Sequence, residues 1–214
     1  MGYAVYRIWM GGVAMKSFFG IVAFLLSFGV TIPYTIDIVK GRAKPARSTR
    51  ILFLMLMAVT LVVQGREFTS WVLLLTVAEV LTQMLLFSLS IKYGIGGLAR
   101  FDVICYAAFV VSLSAYLVTQ DAVLSLTLLM LTDFISFLPT LVKIWRDPTS
   151  DTWPFFLFGG VVAAAAALLA RNTNAYVEVA FPAYLLAANA LAAAPILLHN
   201  KRKKLKQAEP IAPL

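Results

Sequence analysis

Four side chains have the type and setting to handle a polar solute. Glu79 and Asp133 are carboxylic acids near the middle of long apolar runs, at 70–91 and 121–145. Gln83 and Asn189 are amides in equally apolar surroundings, and an amide both donates and accepts hydrogen bonds. A carboxyl among apolar side chains is costly to keep, so it is expected to face a cavity or a partner. There it can bind a solute, carry a proton along with the solute, or merely tie two helices together. Solute binding, with proton coupling open, is the expectation. Spacings of three and four place Thr76, Glu79, Gln83 and Ser90 on one helix face. Asp133, Ser136 and Thr140 share a second face, and Ser27, Thr31 and Tyr34 a third.

Two prolines form a second constellation. Pro33 stands in Ile32-Pro33-Tyr34-Thr35-Ile36-Asp37, and Pro139 in Leu138-Pro139-Thr140-Leu141-Val142-Lys143, 106 residues later. Each is followed by basic residues and a further proline, Pro45 or Pro148. Gln83 and Asn189 have the same offset. A proline in a helix removes a backbone donor and crowds the preceding turn, at about 3 kcal/mol. One such proline simply bends a helix. Two at equivalent depths of a repeat are read as hinges. Inner-end ion pairs drawn from Asp37, Asp147 and Asp151 with Lys40, Lys143 and Arg146 are a further expectation.

These residues need elements that hold them in lipid. The chain has 214 residues, 61% hydrophobic and only 13% charged. Ordinary soluble domains are about 25% charged. A soluble enzyme, a disordered chain and a disulfide scaffold are excluded. The single cysteine, Cys105, and single histidine, His199, build no metal cage and no bis-histidine haem site. There is no His-Glu-x-x-His motif, so no enzyme and no cofactor are expected.

Apolar runs predict seven membrane-spanning helices: 17–38, 50–65, 70–91, 100–119, 121–145, 153–170 and 175–198. Runs such as Val161–Ala170 lack the alternation of a barrel strand. Residues 175–198 contain no lysine for a retinal Schiff base. The fold class is all-α membrane protein. Its units are a loose segment at 1–16, three helices in 17–91, a linker helix at 100–119, three helices in 121–198 and a basic tail at 199–214.

The net charge is +8, in short clusters between apolar runs, which leaves no face for nucleic acid. With the N-terminus outside, fourteen of the eighteen basic residues fall on the inner side. That bias predicts a cytoplasmic C-terminus in a plasma (inner) membrane. The lipid bilayer and a small solute are the partners implied; self-association stays open.

The layout and the two proline segments resemble the PQ-loop superfamily, which includes the SWEET (MtN3-like) sugar transporters. The family's Pro-Gln is Pro33-Tyr34 and Pro139-Thr140 here. The resemblance implies a 3+1+3 arrangement of parallel repeats that alternate access to a central site. It also implies that Asn189 stands at the pocket asparagine of the second repeat and Gln83 at its counterpart. The 50–65 span lacks the tryptophan that family pockets use, so a sugar is not implied. A receptor or adaptor on the same fold, without transport, is the alternative.

Overall fold

In lipid a backbone must satisfy its own donors and acceptors, and these apolar runs do so as helices. The computed structural model describes residues 2–41, 45, 47–67, 70–94, 100–149 and 153–208; it describes side chains from residue 12 on, except at 204 and 206–208. The helices are α1 (Gly2–Gly29), α2 (Thr31–Val39), α3 (Arg47–Glu67), α4 (Leu73–Tyr93), α5 (Arg100–Thr119) and α6 (Ala122–Arg146). A π-helical segment, Phe155–Val162, then leads into α7 (Ala163–Leu169), and α8 (Tyr176–Ala208) follows. Six helical stretches are long and apolar enough to cross a membrane, which makes this an integral membrane protein.

Several expectations change. The segment 1–16 is helical from Gly2 and continues into α1. The span expected at 17–38 is two helices with a break at Val30. The span expected at 153–170 is a shorter apolar helix, Phe155–Leu169, and the last helix runs through the basic segment to Ala208. Residues 1 and 209–214, with Arg42, Lys44 and Asp151, lie outside the described residues.

The two prolines also act differently. Pro33 cannot donate to the carbonyl of Gly29, and its ring crowds that carbonyl. Glycine is itself a poor helix former, so the helix breaks there, between Gly29 and Thr31. Pro139 lies within α6, which continues to Arg146. No glycine precedes it within five residues, and the helix absorbs the missing bond.

Packing follows a pattern. In the first half α1 and α3 both pack on α4. In the second half α6 packs on α8, and so do the π segment and α7. Across the halves α1 packs on α7, and α3 on α6. Helix α5 lies against α6 and α3. The interior is apolar and small-residue rich: Leu56, Leu126, Leu129, Phe109 and Phe181 pack with Ala163, Ala164 and Ala167. Small residues let helices approach closely where lipid supplies no hydrophobic drive.

Glu178, in the first turn of α8, ties down the loop before it. It is 1% exposed. Its carboxylate accepts from the Asn172 amide at 2.6 Å, the Thr173 amide at 2.8 Å and the Thr173 hydroxyl at 2.7 Å. Glu178→Ala is expected to lower stability by about 3 kcal/mol, because it orphans several donors that bond to a charged group. Thermal unfolding in detergent measures it, and Glu178→Gln should lose less. At the other end of the bundle Asp147 caps α6 and accepts from the Thr149 amide at 3.0 Å and hydroxyl at 2.6 Å. Those bonds hold its carboxyl below the usual carboxylate range.

Candidate functional site

A cavity of about 300 Å³ lies among the helices, and Glu79 and Gln83 of α4, Asp133 of α6 and Asn189 of α8 all line it. The acids are held in parallel ways. Glu79, on α4, accepts from the Ser27 hydroxyl of α1 at 2.6 Å. Asp133, on α6, accepts a short bond from the Tyr184 hydroxyl of α8. Each carboxyl is therefore tied across the α1–α4 or α6–α8 pair of its own half. Each keeps a second oxygen with room for another donor.

The amides sit nearer the basic end. Gln83 lies one turn beyond Glu79, so both project from one face of α4. Its Oε1 is 3.5 Å from Arg50 Nη1, a weak bond by distance. Arg50 also donates to the Tyr34 hydroxyl at 3.2 Å, and its guanidinium lies 5.6 Å from the centre of that ring. The Tyr34 ring in turn meets Phe155 of the π segment, 5.8 Å between centroids. Asn189 Nδ2 donates to the Leu185 carbonyl of its own helix at 2.8 Å. Its side chain occupies the space a Cβ on Gly160 would need: an ideal Cβ there would come within 2.1 Å of Asn189 Cγ. The neighbouring Gly159 seats Val30, the residue at the helix break: an ideal Cβ there would come within 2.5 Å of Val30 Cγ2. The π turn thus touches both the broken helix of the first half and the amide of the second. π turns recur at functional sites.

The cavity extends toward the basic end of the bundle. It runs from the mid-helix acids to Pro45, Arg50 and Lys143, where α3 begins and α6 ends. One turn beyond the acids, in the opposite direction, the bundle is closed. Thr76 donates to Gln64 at 2.6 Å, both fully buried, and Ser112 meets Thr132 at 3.0 Å. Phe181 and Leu129 are buried in the main apolar cluster.

The polar faces read from spacing are partly redistributed. Ser27, Tyr34, Glu79, Gln83, Asp133 and Thr140 line the cavity. Thr76 belongs to the sealing layer, and Ser136 bonds back to the Thr132 carbonyl at 2.7 Å. Ser90 bonds to Phe87, and its carbonyl accepts from Arg47 at 2.9 Å. Thr31 meets Thr82, which lines the cavity, at 3.1 Å. Of the expected hinges, Pro33 follows the break by one turn, while Pro139 lies on the outer surface of α6, away from the cavity. Three contributors escape a reading of spacing: Tyr184, Thr82 and Gly160. A signal exists for Thr82, which stands three residues from Glu79; none exists for Tyr184. Comparison with protein-family models, with curated proteins and with solved structures finds no match.

Proposed function

We propose that this chain is a membrane transporter that moves a small polar solute by alternating access, with seven spans arranged 3+1+3 and a cytoplasmic C-terminus. The observation that carries the reading is the shared cavity. Each half contributes one acid and one amide to it: Glu79 and Gln83, then Asp133 and Asn189. The packing supports two like halves. In each, the first and second helices lean on the third, and the first helix of one half meets the second of the other. That reciprocity is what a twofold relation between parallel repeats requires. It agrees with the likeness to SWEET and PQ-loop transporters in the proline segments.

The charge layout suits a solute with donors at one end and an acceptor group at the other. The donors meet Glu79 and Asp133; the acceptor meets Arg50 at the mouth. Proton coupling through either acid belongs to the same proposal.

The test is counterflow of labelled solutes in proteoliposomes, with sugars, amino acids and vitamins as the first classes. Asn189→Ala and Gln83→Ala should each lower uptake of a transported solute about tenfold, the worth of one polar contact. The second reading is a receptor or adaptor on the same fold, which binds without transport. Saturable binding with no flux in any class would select it.

A further inference from the structure

A second concave site lies outside the solute cavity, where α5 begins and α6 ends. It is a groove of about 610 Å³. Phe101, Leu138, Pro139 and Val142 form an apolar wall, and Lys143, Arg146 and Asp147 close the end. Leu138 is 37% and Val142 47% exposed, so the wall faces out of the bundle. Such a wall at membrane depth faces lipid, and among the described residues no helix covers it. Acyl chains are the available filling.

The closed end states which lipid. Arg146 is exposed at the groove, and exposed Arg100 directly precedes Phe101. Lys143 also lines this end, its charge shared with Asp147. Two acids lie nearby among the described residues: Asp147 is engaged by its own loop through Thr149, and Asp102, next to Phe101, accepts from the Ser48 hydroxyl at 2.7 Å. A guanidinium fork matches two phosphate oxygens, and near a membrane surface each basic residue strengthens binding of an anionic headgroup. We propose that this groove is a binding site for one anionic phospholipid, its acyl chain along Pro139 and Val142 and its phosphate on Arg146 and Arg100. Charge and groove are both required: basic residues alone would hold a soluble anion, and the wall alone would hold any lipid. Lys143 also lines the mouth of the solute cavity, so the bound headgroup sits beside the solute's entrance.

The site does not depend on the solute, and its test needs none. The full chain in detergent is titrated with phosphatidylglycerol, phosphatidylcholine or inorganic phosphate, and adducts are counted by native mass spectrometry. Phosphatidylglycerol is expected to bind at least fivefold more tightly than phosphatidylcholine. Arg146→Ala should weaken it about fivefold. Val142→Trp, which fills the groove without altering charge, should weaken it as much, and Leu138→Trp repeats that arm if Val142→Trp does not fold. Arg202→Ala, on the exposed end of α8, should change nothing. Equal retention in wild type, Arg146→Ala and the groove-filling variant would overturn the proposal. So would equal affinity for phosphatidylcholine, inorganic phosphate binding as tightly as the lipid, or a dimer whose formation excludes lipid.

Discussion

Gly160→Ala is expected to cost about 3 kcal/mol of stability and to lower solute uptake at least tenfold. The added methyl would lie 2.1 Å from Asn189 Cγ and 2.3 Å from its Cβ, so backbone or amide must move. Overpacking in a close-packed interior typically costs 1–3 kcal/mol, occasionally more. The atoms in conflict identify the rescue. Asn189→Ala keeps the Cβ at 2.3 Å and should not restore the melting point. Asn189→Gly removes it and should, less about 1 kcal/mol for glycine within a helix. The double variant Gly160→Ala/Asn189→Gly is therefore expected to be more stable than Gly160→Ala while keeping the roughly tenfold loss of uptake that removal of the Asn189 amide brings. Thermal melting with solute counterflow separates these outcomes. A Gly160→Ala protein with native melting and native uptake would show that the amide has another position to occupy.

Asp133 offers the second large effect. Replacing it alone by leucine leaves the Tyr184 hydroxyl without its acceptor, at about 1–3 kcal/mol. Replacing both, as Asp133→Leu/Tyr184→Phe, removes the acid and the orphan together. A carboxyl in the interior of a membrane bundle is costly, and exchanging buried polar partners for apolar ones of similar volume is often neutral or stabilising. The double variant should melt at or above the wild-type temperature and lose uptake ten- to a hundredfold, the range for one hydrogen bond to a charged group. If the acid is only a link between α6 and α8, the double variant instead melts lower and any surviving fold transports normally.

These expectations mark what was legible in the sequence. The buried acids stood out because burying a carboxyl has a cost that composition cannot hide. Their amide neighbours shared the 106-residue offset of the prolines, and all four side chains reach the same cavity. Tyr184 was not legible, because a tyrosine in an apolar helix equally suits packing or the interface. Its partner is 51 residues away, and only packing of α8 on α6 brings the two together. Arg50 reads as one more basic residue at an inner helix end, and its guanidinium turns inward because Tyr34 and Gln83 receive it. The prolines looked equivalent, yet only Pro33 follows a glycine by four residues, and only there does the helix break. The basic segment after 198 reads as a tail by charge, although nothing in its composition prevents α8 from continuing.

The stretch Phe155–Leu169 reads as a full span by hydropathy, but at an α-helical rise it covers only about 22 Å, and π turns shorten it further. A hydrocarbon layer is about 30 Å deep. Phe158, Val162 and Leu169 are exposed along this helix, so lipid must meet its shortfall directly. On the proposed seven-span arrangement this shortfall is met by thinning of the bilayer, snorkelling of flanking residues or self-association, each ångström of mismatch costing a fraction of a kcal/mol. That load falls at the Arg171 turn, whose guanidinium caps the Leu168 carbonyl on the sealed side of the bundle. On that arrangement a thicker membrane pulls on this end and a thinner one relieves it, which makes bilayer thickness a mechanical input to the proposed transporter.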